Sequence, residues 1–207
     1  MARNEELYNA IVKGDRNTVT GIIQSSLDNN ANVSEILDAS MIPAMRDMGD
    51  RFSKNEVYVP EMLIAARAMQ AGLEMIEPAL AKTDHKPLGK VCVGTVKGDL
   101  HDIGKNLVAI MLKGAGYEVD DLGVNCDADK FSASVNDGSS VILCSALLTT
   151  TMPYMKDIVE NFKGNTGVKV IIGGAPVTQE YADSIGAHGY GCDANEAVKV
   201  VDKLLGN

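Results

Sequence analysis

From the N-terminus to about Ala81, apolar residues recur at spacings of three and four with almost no β-branched runs, which predicts amphipathic helices. Four segments carry the pattern. The first spans Glu5 to Val12, and the second, Arg16 to Leu27, follows a Gly14-Asp15 break in which Asp15 serves as N-cap. The third starts near Ser34, whose hydroxyl suits a cap, sets Ile36, Leu37, Met41, Met45 and Met48 on one face, and ends near Ser53-Lys54-Asn55. The fourth starts at Pro60, carries Met62, Leu63, Ala66, Met69, Leu73 and Ile76 on one side, and stops before Pro78. Four helices of this length suit a small bundle, with the methionine stripe as core.

The periodicity then changes. Lys82 to Gly89 is polar and contains Pro87 and Gly89, so residues 85–89 are expected to link a helical domain (1–84) to a second domain (90–207). From Lys90 onward, short apolar runs at 91–96, 117–123, 140–146 and 168–174, with a short strand near Gly189-Tyr190, alternate with helical stretches. Those helices fall near Ile103–Lys113, Ala128–Val135, Pro153–Phe162, Thr178–Ile185 and Asn195–Leu205. The alternation predicts an α/β fold: a parallel sheet with helices on both faces, of the flavodoxin or Rossmann type, in strand order 2-1-3-4-5. Ligands of such sheets bind beyond the carboxyl ends of the strands, where the order reverses between the first and third. Lys97 to Gly104 follows the first strand and Ser145 to Thr151 the third, while Gly173-Gly174 ends the fourth.

Charge and cysteine usage narrow the function classes. The net charge of −9, with no local Lys/Arg cluster, argues against nucleic acid as a partner. Cys92, Cys126, Cys144 and Cys192 include no CxxC pair and read as structural thiols of a reducing cytoplasm. No apolar stretch is long enough for a signal peptide or a membrane span, so a cytoplasmic protein without a membrane partner is expected. Aromatic content is only 4%, so a flat ligand would rest mainly on aliphatic groups and backbone.

The densest constellation is Asp99-x-His101-x-x-Gly104. A carboxylate two residues before an imidazole can accept its Nδ1 hydrogen, which leaves Nε2 free for a metal. His85 and His188 are the only other histidines, and His188 reads as a satisfied loop residue, so a multi-histidine zinc or iron centre is hard to build. One axial histidine suits a metal already held in a macrocycle, and a tetrapyrrole-type cofactor fits better than a bare ion. Blander readings stand beside this one. Asp102 is an ordinary first-turn helix carboxylate, Gly173-Gly174 can end a strand tightly, and Ser145 and Thr151 can cap the helix before Pro153.

The string Gly94-Thr-Val-Lys-Gly-Asp-Leu-His-Asp-Ile-Gly-Lys-Asn106 resembles the cobalamin-binding signature D-x-H-x-x-G, followed in order by S-x-L at Ser145 and Leu147 and by the double glycine. The helical half, including Val57-Tyr-Val-Pro60 and Met69-Gln-Ala-Gly-Leu-Glu-Met75, resembles the cap domain of methionine synthase and of small corrinoid proteins. The resemblance implies a cobalamin or related corrinoid whose cobalt is ligated by His101, with Asp99 on the far nitrogen and Thr151 completing a relay. It implies cofactor contacts at Gly98, Asp99, His101, Asp102, Ile103, Gly104, Ser145, Leu147, Thr149, Gly173 and Gly174. Tyr58, Ala65 and Ala68 match positions that cap the methyl group in methionine synthase, where the side chains are bulkier. Methionine synthases carry Ser at the position of Thr151, a change that keeps the hydroxyl.

At this length the chain resembles the stand-alone corrinoid subunits of methylamine, methanol or betaine methyltransferase systems, and Ser145 to Thr151 resembles the methylamine and betaine branch most. Such subunits take a methyl group on Co(I) through a substrate-specific methyltransferase and yield it to a second methyltransferase serving coenzyme M or tetrahydrofolate. A reductive activation protein completes the set. The subunit is not a catalyst by itself, and the cap must swing away about the linker for two enzymes to reach one methyl group. Two alternatives share the motif. A cobalamin-dependent sensor would add a DNA-binding module or basic patch, which this sequence lacks; the small subunit of an adenosylcobalamin mutase normally lacks the helical cap.

Overall fold

The computed structural model describes residues 3–207, which divide into two compact units, one comprising residues 3–86 with Gly114–Gly116 and the other Pro87–Lys113 with Tyr117–Asn207.

The helical unit contains α1 (Glu5–Lys13), α2 (Arg16–Asp28), α3 (Val33–Ile36), a π-helical segment (Leu37–Met41), α4 (Ile42–Ser53) and α5 (Val59–Leu80). Asp15 caps α2 as expected, accepting from the Thr18 amide at 3.1 Å. The third segment begins differently. Its cap is Asn32, whose Oδ1 accepts from the Ser34 and Glu35 amides at 3.1 and 3.4 Å, so Ser34 lies inside the first turn. The π segment, with its widened turn, has no counterpart in the hydrophobic period; it contains buried Ser40, whose hydroxyl accepts from the Asn4 amide at 2.9 Å. The fourth helix continues through Pro78. A proline in the last turn forfeits one backbone bond, and the turn still closes because the Ala81 amide reaches Glu77 O at 2.9 Å. Met41, Met45, Met48, Met62 and Met69 are all buried, as core residues should be.

The second unit is a five-stranded parallel sheet, β1 (Lys90–Thr95), β2 (Glu118–Asp121), β3 (Val141–Ser145), β4 (Lys169–Gly173) and β5 (Gly189–Gly191), in the order β2-β1-β3-β4-β5. Helices α6 (Ile103–Gly114), α7 (Ala128–Asn136), α8 (Pro153–Phe162), α9 (Gln179–Ile185) and α10 (Ala194–Leu205) alternate with the strands. Val91, Cys92 and Val93 in β1 and Val141, Ile142, Leu143 and Cys144 in β3 are buried on successive positions, as two covered sheet faces require. Cys92, Cys126 and Cys144 belong to this core; burial pushes the Cys92 thiol up to about 12 and Cys144 well above its ordinary value, which disfavours the thiolate in both. Cys192, by contrast, is exposed and does not pack as the sequence suggests. Among the described residues no helix is long and apolar enough to cross a membrane.

Candidate functional site

β1 and β3 are neighbours with Thr95 opposite Ser145, and the loops that follow them emerge side by side where the strand order reverses. Asp99 sits at the centre, fully buried. Its Oδ1 accepts from the His101 amide at 3.1 Å and lies 2.7 Å from His101 Nδ1. Its Oδ2 accepts from the Leu147 amide at 2.8 Å, the Leu148 amide at 3.2 Å and the Thr151 hydroxyl at 2.8 Å. Burial by itself drives this carboxyl up, but the His101 ring, the Leu147 and His101 amides and the Thr151 hydroxyl together outweigh it and hold the group well below the usual carboxylate range. Asp99 is therefore an anion at neutral pH, and the Nδ1 proton of His101 points to it. The tautomer that follows leaves Nε2 as the free lone pair.

The His101 side chain is 51% exposed, and Nε2 has no protein hydrogen-bond partner among the described residues. The loops that carry His101 and the partners of Asp99 also expose apolar side chains: Leu100 at 71%, Ile103 at 76%, and Leu147 and Leu148 less so. Gly104 keeps the first turn of α6 free of side chain, and an added Cβ there would meet nothing within 4 Å. A free nitrogen donor on loops that also expose apolar side chains fits a large, flat, mostly apolar ligand carrying its own metal. No group of three or more His, Cys, Asp or Glu among the described residues could hold a metal ion unaided.

Comparison with known proteins decides the family. Residues 89–199 match the model of the B12 binding domain, and residues 3–77 match a second B12 binding domain model. A corrinoid protein of Desulfitobacterium hafniense is 36% identical over all of this chain and 99% of its own length. A trimethylamine corrinoid protein of Methanosarcina mazei is 38% identical over 99% of each chain. The chain belongs to the B12-binding corrinoid proteins. Among solved structures, a methanol:cobalamin methyltransferase complex from Methanosarcina barkeri contains a chain that superposes on this corrinoid protein with a TM-score of 0.87 at 26% identity, covering 98% of this chain and 79% of that one.

In this member of the family the remaining residues named from sequence fall as follows. Gly98, with φ of +80°, turns the chain into the His101 loop, and the Thr151 methyl lies 3.6 Å from where a Cβ on Gly98 would stand, so the extra methyl is accommodated. Asp102 is exposed and accepts from the Asn106 side-chain amide at 3.0 Å. Ser145 and Gly173 are register partners at the strand ends, and Thr149, which follows Leu148, is exposed. Both glycines have reasons inside the protein: a Cβ on Gly173 would come 2.9 Å from Gly191 O, and one on Gly174 would come 2.0 Å from Ala146 O. Thr151 donates within the site instead of capping α8. Tyr58 belongs to the helical unit, where its ring is exposed at the start of α5 and its amide donates to Glu61 Oε2 at 3.1 Å; Ala65 and Ala68 are fully buried in the same helix.

Three supports escaped the sequence reading. Buried Thr95 donates its hydroxyl to His101 O at 2.8 Å. Asn125, in the loop after β2, accepts from the Gly98 amide at 2.8 Å and donates its own amide to Asp99 O at 3.1 Å. Buried Lys105 of α6 pairs with Asp121 at the end of β2. Each acts across a loop boundary, where no periodic pattern exists to reveal it.

Proposed function

We propose that this chain holds a corrinoid through His101 and carries a methyl group from a methylated amine, of methylamine or betaine type, between two methyltransferases. The observation that carries the reading is the 2.7 Å contact between buried Asp99 and His101 Nδ1, which leaves an unpaired Nε2 on a half-exposed ring. When bound, the corrinoid supplies a cobalt that accepts and releases the methyl group. The protein's residues do the rest: His101 would ligate the cobalt, Asp99 fixes the tautomer of its ring, and Thr151 and the Leu147 and Leu148 amides fix Asp99. Gly98, Asp102, Ile103, Gly104, Ser145, Leu147, Thr149, Gly173 and Gly174 would contact the cofactor, and Tyr58 is the residue of the helical unit that would contribute to holding it.

The names of the relatives support the substrate class, since they are trimethylamine and dimethylamine corrinoid proteins, and the methanol:cobalamin methyltransferase complex supports a methyltransferase partner. The second methyltransferase delivers the group to coenzyme M or tetrahydrofolate, and a reductive activation protein restores the cofactor after oxidation. The setting is cytoplasmic. Segment 85–89 is the hinge between a cap at 1–84 and a cofactor domain at 90–207.

Reconstitution with hydroxocobalamin, followed by ultraviolet–visible spectroscopy of the wild type and His101→Ala, tests the proposal. One-to-one binding with a spectrum that changes on losing His101 is expected. A folded wild-type protein that binds no corrinoid, or binds it with a spectrum indifferent to His101, overturns it.

A further inference from the structure

The loop between β2 and α7 reaches across to the turn that presents His101. Its backbone is fastened to β1 at several points: the Leu122 amide donates to Val93 O at 2.9 Å, Gly123 O accepts from the Thr95 amide at 3.0 Å, and the Cys126 amide donates to Thr95 O at 2.8 Å. Lys105, buried in the helix that follows His101, pairs with Asp121, whose Oδ1 also accepts from the Gly123 amide at 3.0 Å. Out of this anchored loop projects Asn125 with φ of +52°, a left-handed conformation that asparagine tolerates better than other residues with a side chain. That conformation lets one residue grip the backbone of two consecutive residues of the neighbouring loop. Its Oδ1 takes the Gly98 amide at 2.8 Å and its amide gives a bond to Asp99 O at 3.1 Å.

We infer that Asn125 is a positioning residue for the metal-ligating histidine, setting the angle at which the Gly98–Asp99 turn offers His101. The inference rests on His101 being the axial ligand. The side-chain carboxylate of Asp99 aims the imidazole, but it aims it relative to its own backbone, and that backbone is held from outside by Asn125. Gly98, with φ of +80°, has the freedom to turn otherwise, so the bond to its amide removes the least constrained degree of freedom in the loop. Thr95 secures the far end through His101 O at 2.8 Å. The loop is thus clamped on both sides of the ligand, once from β1 and once from Asn125.

The test uses the full chain with its histidines labelled with nitrogen-15, reconstituted with hydroxocobalamin and reduced to Co(II). In the electron paramagnetic resonance spectrum, nitrogen splitting from labelled protein and from the cofactor's own unlabelled base differ, so one spectrum gives the ratio of the two axial ligands. Asn125→Gly keeps the left-handed backbone and the amide bond to Asp99 O and deletes only the bond to Gly98. It is expected to lower the ratio of protein to cofactor nitrogen roughly five-fold, the size of one lost hydrogen bond, and Asn125→Asp, which retains the acceptor, to restore it. An unchanged ratio in Asn125→Gly overturns the inference, whereas loss of protein nitrogen already in the wild type overturns the assignment of His101. Should Asn125→Gly not fold, amide exchange in the wild type decides: Gly98 must be protected although it is exposed, and exchange at the rate of a free amide refutes the clamp.

Discussion

Thr151 illustrates how much one hydroxyl can do. It lies 2.8 Å from Asp99 Oδ2 and 2.9 Å from Leu148 O, and its single proton serves one of them at a time. Because Asp99 is fully buried and charged, a missing donor is not replaced by water. Thr151→Val, which keeps the volume, is expected to lower stability by about 1–3 kcal/mol. Thr151→Ser should cost less than about 1 kcal/mol, the methyl group alone. Urea unfolding of the two variants checks this, and equal midpoints would mean that the hydroxyl is idle. At this scale the sequence was legible wherever the chemistry is local: Asp99 and His101 are two residues apart, and the 2.7 Å contact follows from that spacing. Asn125 and Thr95 were not legible, because each meets its partner across a boundary between elements, and an asparagine in a loop reads equally well as an ordinary turn residue.

Among the elements, the alternation of apolar runs and helical stretches foretold the five strands and their order, since parallel strands buried on both faces leave unbroken apolar runs. Element ends were harder. Asn32 displaced Ser34 as a cap, and the π segment left no mark, because one extra residue in a turn disturbs the helical period only slightly. At the edge of the sheet, His188 accepts a bond from the Val170 amide at 3.1 Å through Nδ1, and burial, with Lys169 assisting, lowers its proton affinity. The satisfied histidine read from sequence thus has a titratable consequence. In the unfolded chain a histidine takes up a proton near pH 6.5; the folded protein resists until lower pH, so the unfolded state binds more protons in between and stability rises with pH across that window. Below the folded value the contribution is gone. We expect the urea midpoint to drop on going from pH 7.5 to pH 5.5, and His188→Asn, which offers an uncharged acceptor, to flatten that part of the profile. A wild type and variant with parallel profiles would assign the dependence elsewhere.

For the whole molecule, hydrogen bonds flank the proposed hinge on both sides. His85 approaches Asp38 at 3.3 Å and Thr83 approaches Ser34 at 3.4 Å, both within the helical unit. On the other side, Leu88 O accepts from the Asn207 side chain at 3.3 Å and Gly89 O from the Glu118 amide at 3.0 Å. Lys86 and Pro87 are left between the two sets of fastenings. Limited proteolysis with a broad-specificity protease is expected to cut the free protein first within 82–89 and to change in rate when a methyltransferase binds; equal sensitivity in the two states would count against a hinge.

The buried carboxylate also has a consequence for the order of folding. Asp99 receives bonds from residues 48, 49 and 52 positions further along the chain, so they form only after β1 and β3 lie side by side and the entropy of closing that long loop has been overcome. Until then Asp99 lacks the donors that hold its Oδ2. The fixed carboxylate against which the His101 ring rests is therefore complete only once the central strands are paired, and its full set of bonds is a report that the sheet is in place.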